Sequence, residues 1–172
     1  MSRRDRHAAN RRRILSVAAK LVARHGPEGL SLREVARGSG YSPASLYAYF
    51  DGRDAILDAL AGRYVEALLA VLGTPAEDEH PLVGLALAWL AFSQQHPARL
   101  ALALRQPDDR IAAVFVERVE ACVATGEIIT GPGFDVDEIA ATVQATAHGF
   151  ATLGHPPELL REAMRCLLEG LR

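Results

Sequence analysis

The chain is short of the residues that staple a fold or span a membrane. Its two cysteines, Cys122 and Cys166, lie far apart, and neither sits in a CxxC pair or beside histidines at metal-ligand spacing. No disulfide framework, metal or cofactor is therefore expected, and 172 residues bury enough surface to fold without one. A reduced thiol pair is the plain reading, with a redox sensor as the alternative. Long apolar runs are also missing: Pro81–Phe92 is uncharged but only twelve residues long, and Lys20 interrupts Ile14–Ala23. No small-residue cleavage site follows that second stretch, so no export signal is read and a cytoplasmic protein with no membrane partner is expected. A nucleophile elbow, a Gly-rich phosphate loop and paired carboxylates are absent too. An enzyme working through His96, Cys122 or His148 would have no motif behind it.

What is present is charge, unevenly placed. Through Arg53 there are eleven Lys and Arg against four Asp and Glu, a net of +7. The remainder has eight against seventeen, a net of -9, so the overall -2 conceals a basic front on an acidic body. That asymmetry points one face at a polyanion, unless the basic run is merely a solvated surface.

Hydrophobic spacing is helical throughout, and no alternating β-branched run is flanked by turn signals, so the expected fold is all-α. The Arg-rich residues through Asn10 are expected to be disordered. Ile14, Val17, Ala18, Leu21 and Val22 then form one helical stripe that Gly26-Pro27 stops. Ser31 and Glu34 have the spacing of a capping box, and Gly38 and Gly40 close a second short helix. Ser42 caps a third helix with Pro43 at its first position, expected to run to Phe50. A long helix over 53–72 buries Leu57, Leu60, Tyr64, Leu68 and Val71. Gly73–His80, with Pro75 and three acidic residues, looks like a linker. Five further helices are expected at about 82–95, 97–105, 108–125, 136–153 and 157–171, with Asp135 and Glu138 as another capping box.

The stretch Ser31–Arg53 combines two short helices with a tight glycine corner, the shape that lays its second helix in a DNA major groove. Small and polar Pro43, Ala44 and Ser45 open that helix, while Leu46 and Phe50, four apart, share a core-facing side. This run of capped helix, glycine turn, Leu46-Tyr47-Ala48-Tyr49-Phe50 and the basic Arg53 resembles the helix-turn-helix signature of the TetR family, over about residues 11–60. The resemblance implies a three-helix DNA-binding domain at 1–53 and a helical effector-binding and dimerisation domain at 54–172, about nine helices in all. It implies phosphate contacts from Tyr47 and Arg53, backbone or base contacts from Ser31 and Arg33, and a reading surface of Ser42, Pro43, Ala44, Ser45 and Tyr49. Ala44 stands where the family often has glycine and Tyr49 where it often has histidine, which leaves the operator sequence unspecified. Arg11, Arg12 and Arg13 either reach a neighbouring groove or are solvated.

The family likeness further implies a homodimer formed by the last two helices, a double-stranded DNA operator and a small-molecule effector. Ala140, Ala141, Ala145, Ala147, Gly149 and Ala151 permit close helix approach, and Leu160, Met164, Leu167, Leu168 and Leu171 form an apolar stripe, serving either a partner or the chain's own core. Gln95-His96-Pro97 followed by leucines, with the later His148-Gly149, resembles a C-terminal subtype called WHG, although the tryptophan expected before His-Gly is missing. Trp89, Phe92, Phe115, Cys122, His148 and Phe150 are the candidate effector-lining residues, with core packing as the alternative for each. The expected activity is ligand-relieved repression; an adaptor that lost DNA binding is the remaining alternative.

Overall fold

The structure is a computed structural model that describes every residue except Met1, Pro75, Glu77, Pro132, Gly133 and Arg172. The described residues form nine α-helices and no strand: α1 Arg3–His25, α2 Leu32–Ser39, α3 Pro43–Leu46, α4 Arg53–Leu72, α5 Pro81–Gln95, α6 Pro97–Ala103, α7 Asp109–Ala124, α8 Val136–Leu153 and α9 Pro157–Glu169. No helix among them is long and apolar enough to cross a membrane.

Two compact units result, one of residues 1–64 with 98–105 and the other of 65–97 with 106–172. The division falls inside α4 rather than at Arg53, because Ile56, Leu57 and Leu60 of its first turns are buried side chains of the first unit. Gly73–His80 is accordingly a loop within the second unit and does not separate the two; its Pro75 and Glu77 lie outside the described residues. The charge asymmetry sharpens in this partition: fourteen basic against six acidic residues give the first unit +8, and five against fifteen give the second -10.

In the first unit, α1 begins at Arg3, so the expected disorder through Asn10 is corrected. The cause is a capping box: Ser2 Oγ accepts the Asp5 amide at 3.1 Å, and the Asp5 carboxylate accepts the Ser2 amide at 2.8 Å. The box expected at Ser31 is not formed; Ser31 makes no side-chain capping bond, and Glu34 lies 3.6 Å from Arg37 instead. Gly38 does not end α2 but allows α1 to pack closely, since a Cβ there would meet Val17 at 2.7 Å. The corner itself is Gly40, left-handed at φ 74°, with the Tyr41 amide donating to the Ala36 carbonyl at 2.9 Å. This is a Schellman closure, which needs a residue free of Cβ strain.

In the second unit, α5 is the central helix and packs against α7, α8 and α9. Its uncharged sequence follows from that position: Leu82, Val83, Leu85, Ala86, Trp89, Leu90 and Phe92 are all buried. The capping box at α8 is formed, with Asp135 and Glu138 each accepting the other's amide at 2.9 Å. In α4, Val71 is 38% exposed and Leu72 takes the buried place expected for it, one residue on around the helix. Leu160, Met164 and Leu168 of the α9 stripe are buried in this chain's own core, and Leu167 is half-buried.

Candidate nucleic-acid interface

The helix after the Gly40 corner is a single turn, shorter than the expected run to Phe50. Ser42 Oγ accepts the Ser45 amide at 3.1 Å and lies 2.7 Å from Ser45 Oγ, and Pro43 occupies the first position. The chain then continues in tight turns, with the Tyr49 and Phe50 amides both donating to the Leu46 carbonyl. Leu46 and Phe50 are buried, while Ser42, Pro43, Ala44, Ser45 and Tyr47 are exposed. Tyr47 is 60% exposed, a large ring presented to solvent beside the capped turn. The short turn is therefore rooted by two apolar anchors and displays small polar groups plus one phenol.

The basic front of α1 braces this turn. His7 stacks on Tyr49 with ring centroids 4.8 Å apart, and its Nε2 lies 3.3 Å from the Ala48 carbonyl oxygen. Asn10 donates to the Tyr49 hydroxyl at 2.9 Å. Arg11 donates to the Tyr49 carbonyl at 2.6 Å and sets its guanidinium 4.1 Å from the centre of the Phe50 ring. These residues, with Ile14, fall at helical spacings i, i+3, i+4 and i+7 on α1. The apolar stripe thus has a polar extension toward Arg3 that a search for hydrophobic periodicity passes over. The signals that could have revealed it were the Ser2/Asp5 box and this spacing. Arg3, Arg4, Arg6, Arg12 and Arg13 remain exposed around the brace.

Three of these side chains already have partners within the chain. Tyr49 is half-buried, with its hydroxyl and ring engaged by Asn10, His7 and Tyr41. Arg11 contacts the Tyr49 carbonyl and the Phe50 ring and is otherwise exposed. Arg53 is turned inward: it donates to the Leu30 and Pro27 carbonyls at 3.2 and 2.8 Å, and pairs with Glu28 at 3.1 Å and Asp54 at 3.6 Å. It closes the 27–30 loop onto α4, and a phosphate would have to displace one of those partners. Ser31 is half-buried and Arg33 exposed at the start of α2.

A family profile described as bacterial regulatory proteins, tetR family, matches residues 14–60, the span that contains this turn. A protein of unknown function from Rhodococcus sp. RHA1 superposes with a TM-score of 0.81 at 31% identity, covering 94% of this chain and 95% of that one. The chain belongs to the TetR family. An HTH-type transcriptional regulator of Mycobacterium tuberculosis is 27% identical over 146 residues, 73% of this chain and 62% of that protein. This TetR-family chain thus spans about three-fifths of the length of the mycobacterial regulators it matches. A ketosteroid transcriptional regulator of M. tuberculosis shares the fold at a TM-score of 0.63 and 20% identity, covering 94% of each chain. The mycobacterial relatives are described as transcriptional regulators. Among the residues considered for catalysis, His96 packs on Phe92, His148 on Trp89, and Cys122 lies beside His80 and Glu127.

The candidate effector residues of the second unit fall into separate groups. Trp89 meets Phe115 and His148 edge-on, at 5.8 and 5.9 Å. Phe150 packs instead on His155, and His148 and Cys122 differ in burial, the first exposed and the second buried. Burial foremost, and the Glu127 carboxylate next, raise the Cys122 thiol to about 11, so it stays protonated near neutrality. Of the six, Cys122 borders a groove of about 360 Å³ that opens on this unit.

The phenol of Tyr47 gives the first test. If it donates to a phosphate, Tyr47→Phe removes a hydrogen bond to a charged group, about 1.5–3 kcal/mol or roughly 10- to 150-fold in affinity. The loss should be equal on all duplex sequences, because phosphates carry no sequence information. Fluorescence anisotropy with specific and random duplexes measures this, and unchanged affinity would remove Tyr47 from the contact.

Proposed function

We propose that this chain is a homodimeric repressor that binds a two-fold operator through α3 and is released when a small apolar effector occupies its second unit. The observation that carries the reading is the capped α3 turn, anchored by Leu46 and Phe50, with Tyr47 exposed beside it on a unit of net charge +8. Small groups at the start of a groove-lying helix let its backbone approach base edges, and the surrounding cations supply the non-specific attraction. Duplex DNA flanking the chain's own gene should be retarded at ~50 mM salt. Failure to retard any such fragment would count against the reading.

Dimerisation is supported by what α8 and α9 leave uncovered. Ala141, Ala145, His148 and Thr152 form an exposed strip on α8, and Leu153 and Leu159 are 72% and 48% exposed. A symmetric pairing of these helices would cover that strip and match a two-fold operator. Ala145→Arg should convert the dimer to monomer by sedimentation without loss of helical circular dichroism. A wild-type chain that sediments as a monomer would overturn the assignment.

The effector reading is supported by Trp89, whose buried Nε1 has no hydrogen-bond partner among the described residues. A buried donor without an acceptor is uncommon, and a ligand oxygen would satisfy it. Release then requires that the effector bind the DNA-free form more tightly than the DNA-bound form. Trp89 is the only tryptophan, so compounds that release DNA should shift the intrinsic fluorescence.

A further inference from the structure

Cys122 stands outside every local motif in the sequence, yet the fold gives it two partners. His80 precedes α5, Cys122 lies in the last turns of α7, and Glu127 follows the turn after α7. One donor atom from each lies within 4.8 Å of the other two. We propose that His80, Cys122 and Glu127 form a three-ligand site for a divalent metal ion of borderline softness, zinc(II) or cobalt(II), with the fourth position open to the adjoining groove.

The ligand set decides the class of ion. One thiolate, one imidazole and one carboxylate in a single cluster match three-ligand zinc chemistry, whereas calcium and magnesium require oxygen. Bonds of ~2.0–2.3 Å to a common ion would draw such a cluster together by small side-chain rotations. The carboxylate is already oriented: Glu127 Oε2 lies 3.2 Å from His80 Nε2, and its Oε1 accepts the Thr125 hydroxyl at 2.9 Å. Hydrogen bonds of this kind hold ligands in place around bound metals. Access comes from a groove of about 360 Å³, lined by Ala76, Pro81, Arg118, Thr125, Cys122 and Glu127. Arg118, which donates to the Leu72 carbonyl at 3.3 Å, places a positive charge at this opening. Two anionic ligands balance a divalent ion, and the guanidinium favours an anion such as chloride or hydroxide in the fourth position.

Binding has a mechanical consequence. His80 Nδ1 accepts the Leu82 amide at 3.2 Å and caps α5, so the ring hydrogen sits on Nε2. Coordination through Nε2 moves that hydrogen to Nδ1 and releases the Leu82 amide; the thiol proton of Cys122 leaves to solvent. Metal occupancy therefore loosens the first turn of the central helix of this unit.

The test uses the whole chain, reduced and freed of metal by chelator, and titrated with cobalt(II) chloride. A near-ultraviolet thiolate-to-cobalt band should grow to one equivalent per chain and bleach when zinc(II) is added. Cys122→Ser should abolish the band and Cys166→Ser should retain it. Glu127 is an exposed turn residue whose change leaves the core intact, and Glu127→Gln should weaken the cobalt affinity at least tenfold. Hydrogen exchange at the Leu82 amide should accelerate with zinc. No band in the wild type, or a band that follows Cys166 instead of Cys122, would overturn the site. Unchanged Leu82 exchange alongside a full band would remove His80 from it. None of these readings depends on DNA, so the outcome is separable from that of the repressor reading.

Discussion

Raising salt from ~50 to ~200 mM should lower the affinity for duplex DNA by about 10³ if roughly six phosphates are neutralised. The expectation rests on where the arginines lie. Arg3, Arg4, Arg6, Arg12 and Arg13 are exposed on α1, and Arg33 and Arg37 on α2, in the unit of net charge +8. Each cation laid against a phosphate frees condensed counterions, so the logarithm of affinity falls linearly with the logarithm of salt. Replacing Arg3, Arg4 and Arg6 together by alanine should flatten the slope by up to about three per subunit. The acidic second unit, at -10, cannot supply such a slope and would repel the duplex. A weak salt dependence, or a slope untouched by the triple replacement, would show that this basic surface is not what meets DNA.

Phe115→Ala should destabilise the chain by about 3–5 kcal/mol, the usual cost of removing a buried aromatic ring. Phe115 is fully buried on α7 and packs edge-on against Trp89 of α5, 5.8 Å between ring centres. Because α5 also packs on α8 and α9, the vacated space lies where several helices meet and cannot close by the shift of one. For a chain of this length, each kcal/mol lowers the melting temperature by roughly 2–4 °C, so a fall of about 6–20 °C is expected. Phe115→Leu, which keeps most of the volume, should cost much less. Calorimetry measures both, and the single tryptophan reports the same packing by fluorescence. An unchanged melting temperature in the alanine variant would mean that this ring is not part of the core.

The sequence exposed the fold readily because its signals are local and repeated. Helical spacing, prolines at helix starts and the Asp135/Glu138 box act within a turn or two of chain, and α4 and α8 fall at 53–72 and 136–153 as that spacing implies. The capped turn at 42–50 was equally legible, since the Ser42 cap, Pro43 at the first position and the buried Leu46 and Phe50 all lie within nine residues. What escaped depends on residues distant in the chain. The start of α1 is also tied down by contacts from His7, Asn10 and Arg11 to 48–50, which a search for apolar periodicity passes over. The inward turn of Arg53 likewise follows from carbonyls at Pro27 and Leu30, which offer acceptors that a charge count ignores. Ser31 shows the converse error: the spacing is right for a box, yet Ser31 makes no side-chain capping bond and Glu34 lies 3.6 Å from Arg37. The grouping of His80, Cys122 and Glu127 belongs to the same class, formed by folding and absent from any spacing rule.

Dimethyl sulfate protection tests the docking of α3 most directly, because the reagent methylates guanine N7 in the major groove and reports that groove alone at guanines. On a bound duplex, the wild-type chain should protect two guanine clusters about one helical turn apart, and Ser45→Arg should abolish the protection while leaving the fold intact. Retarded DNA whose guanines remain fully reactive would contradict the placement of α3.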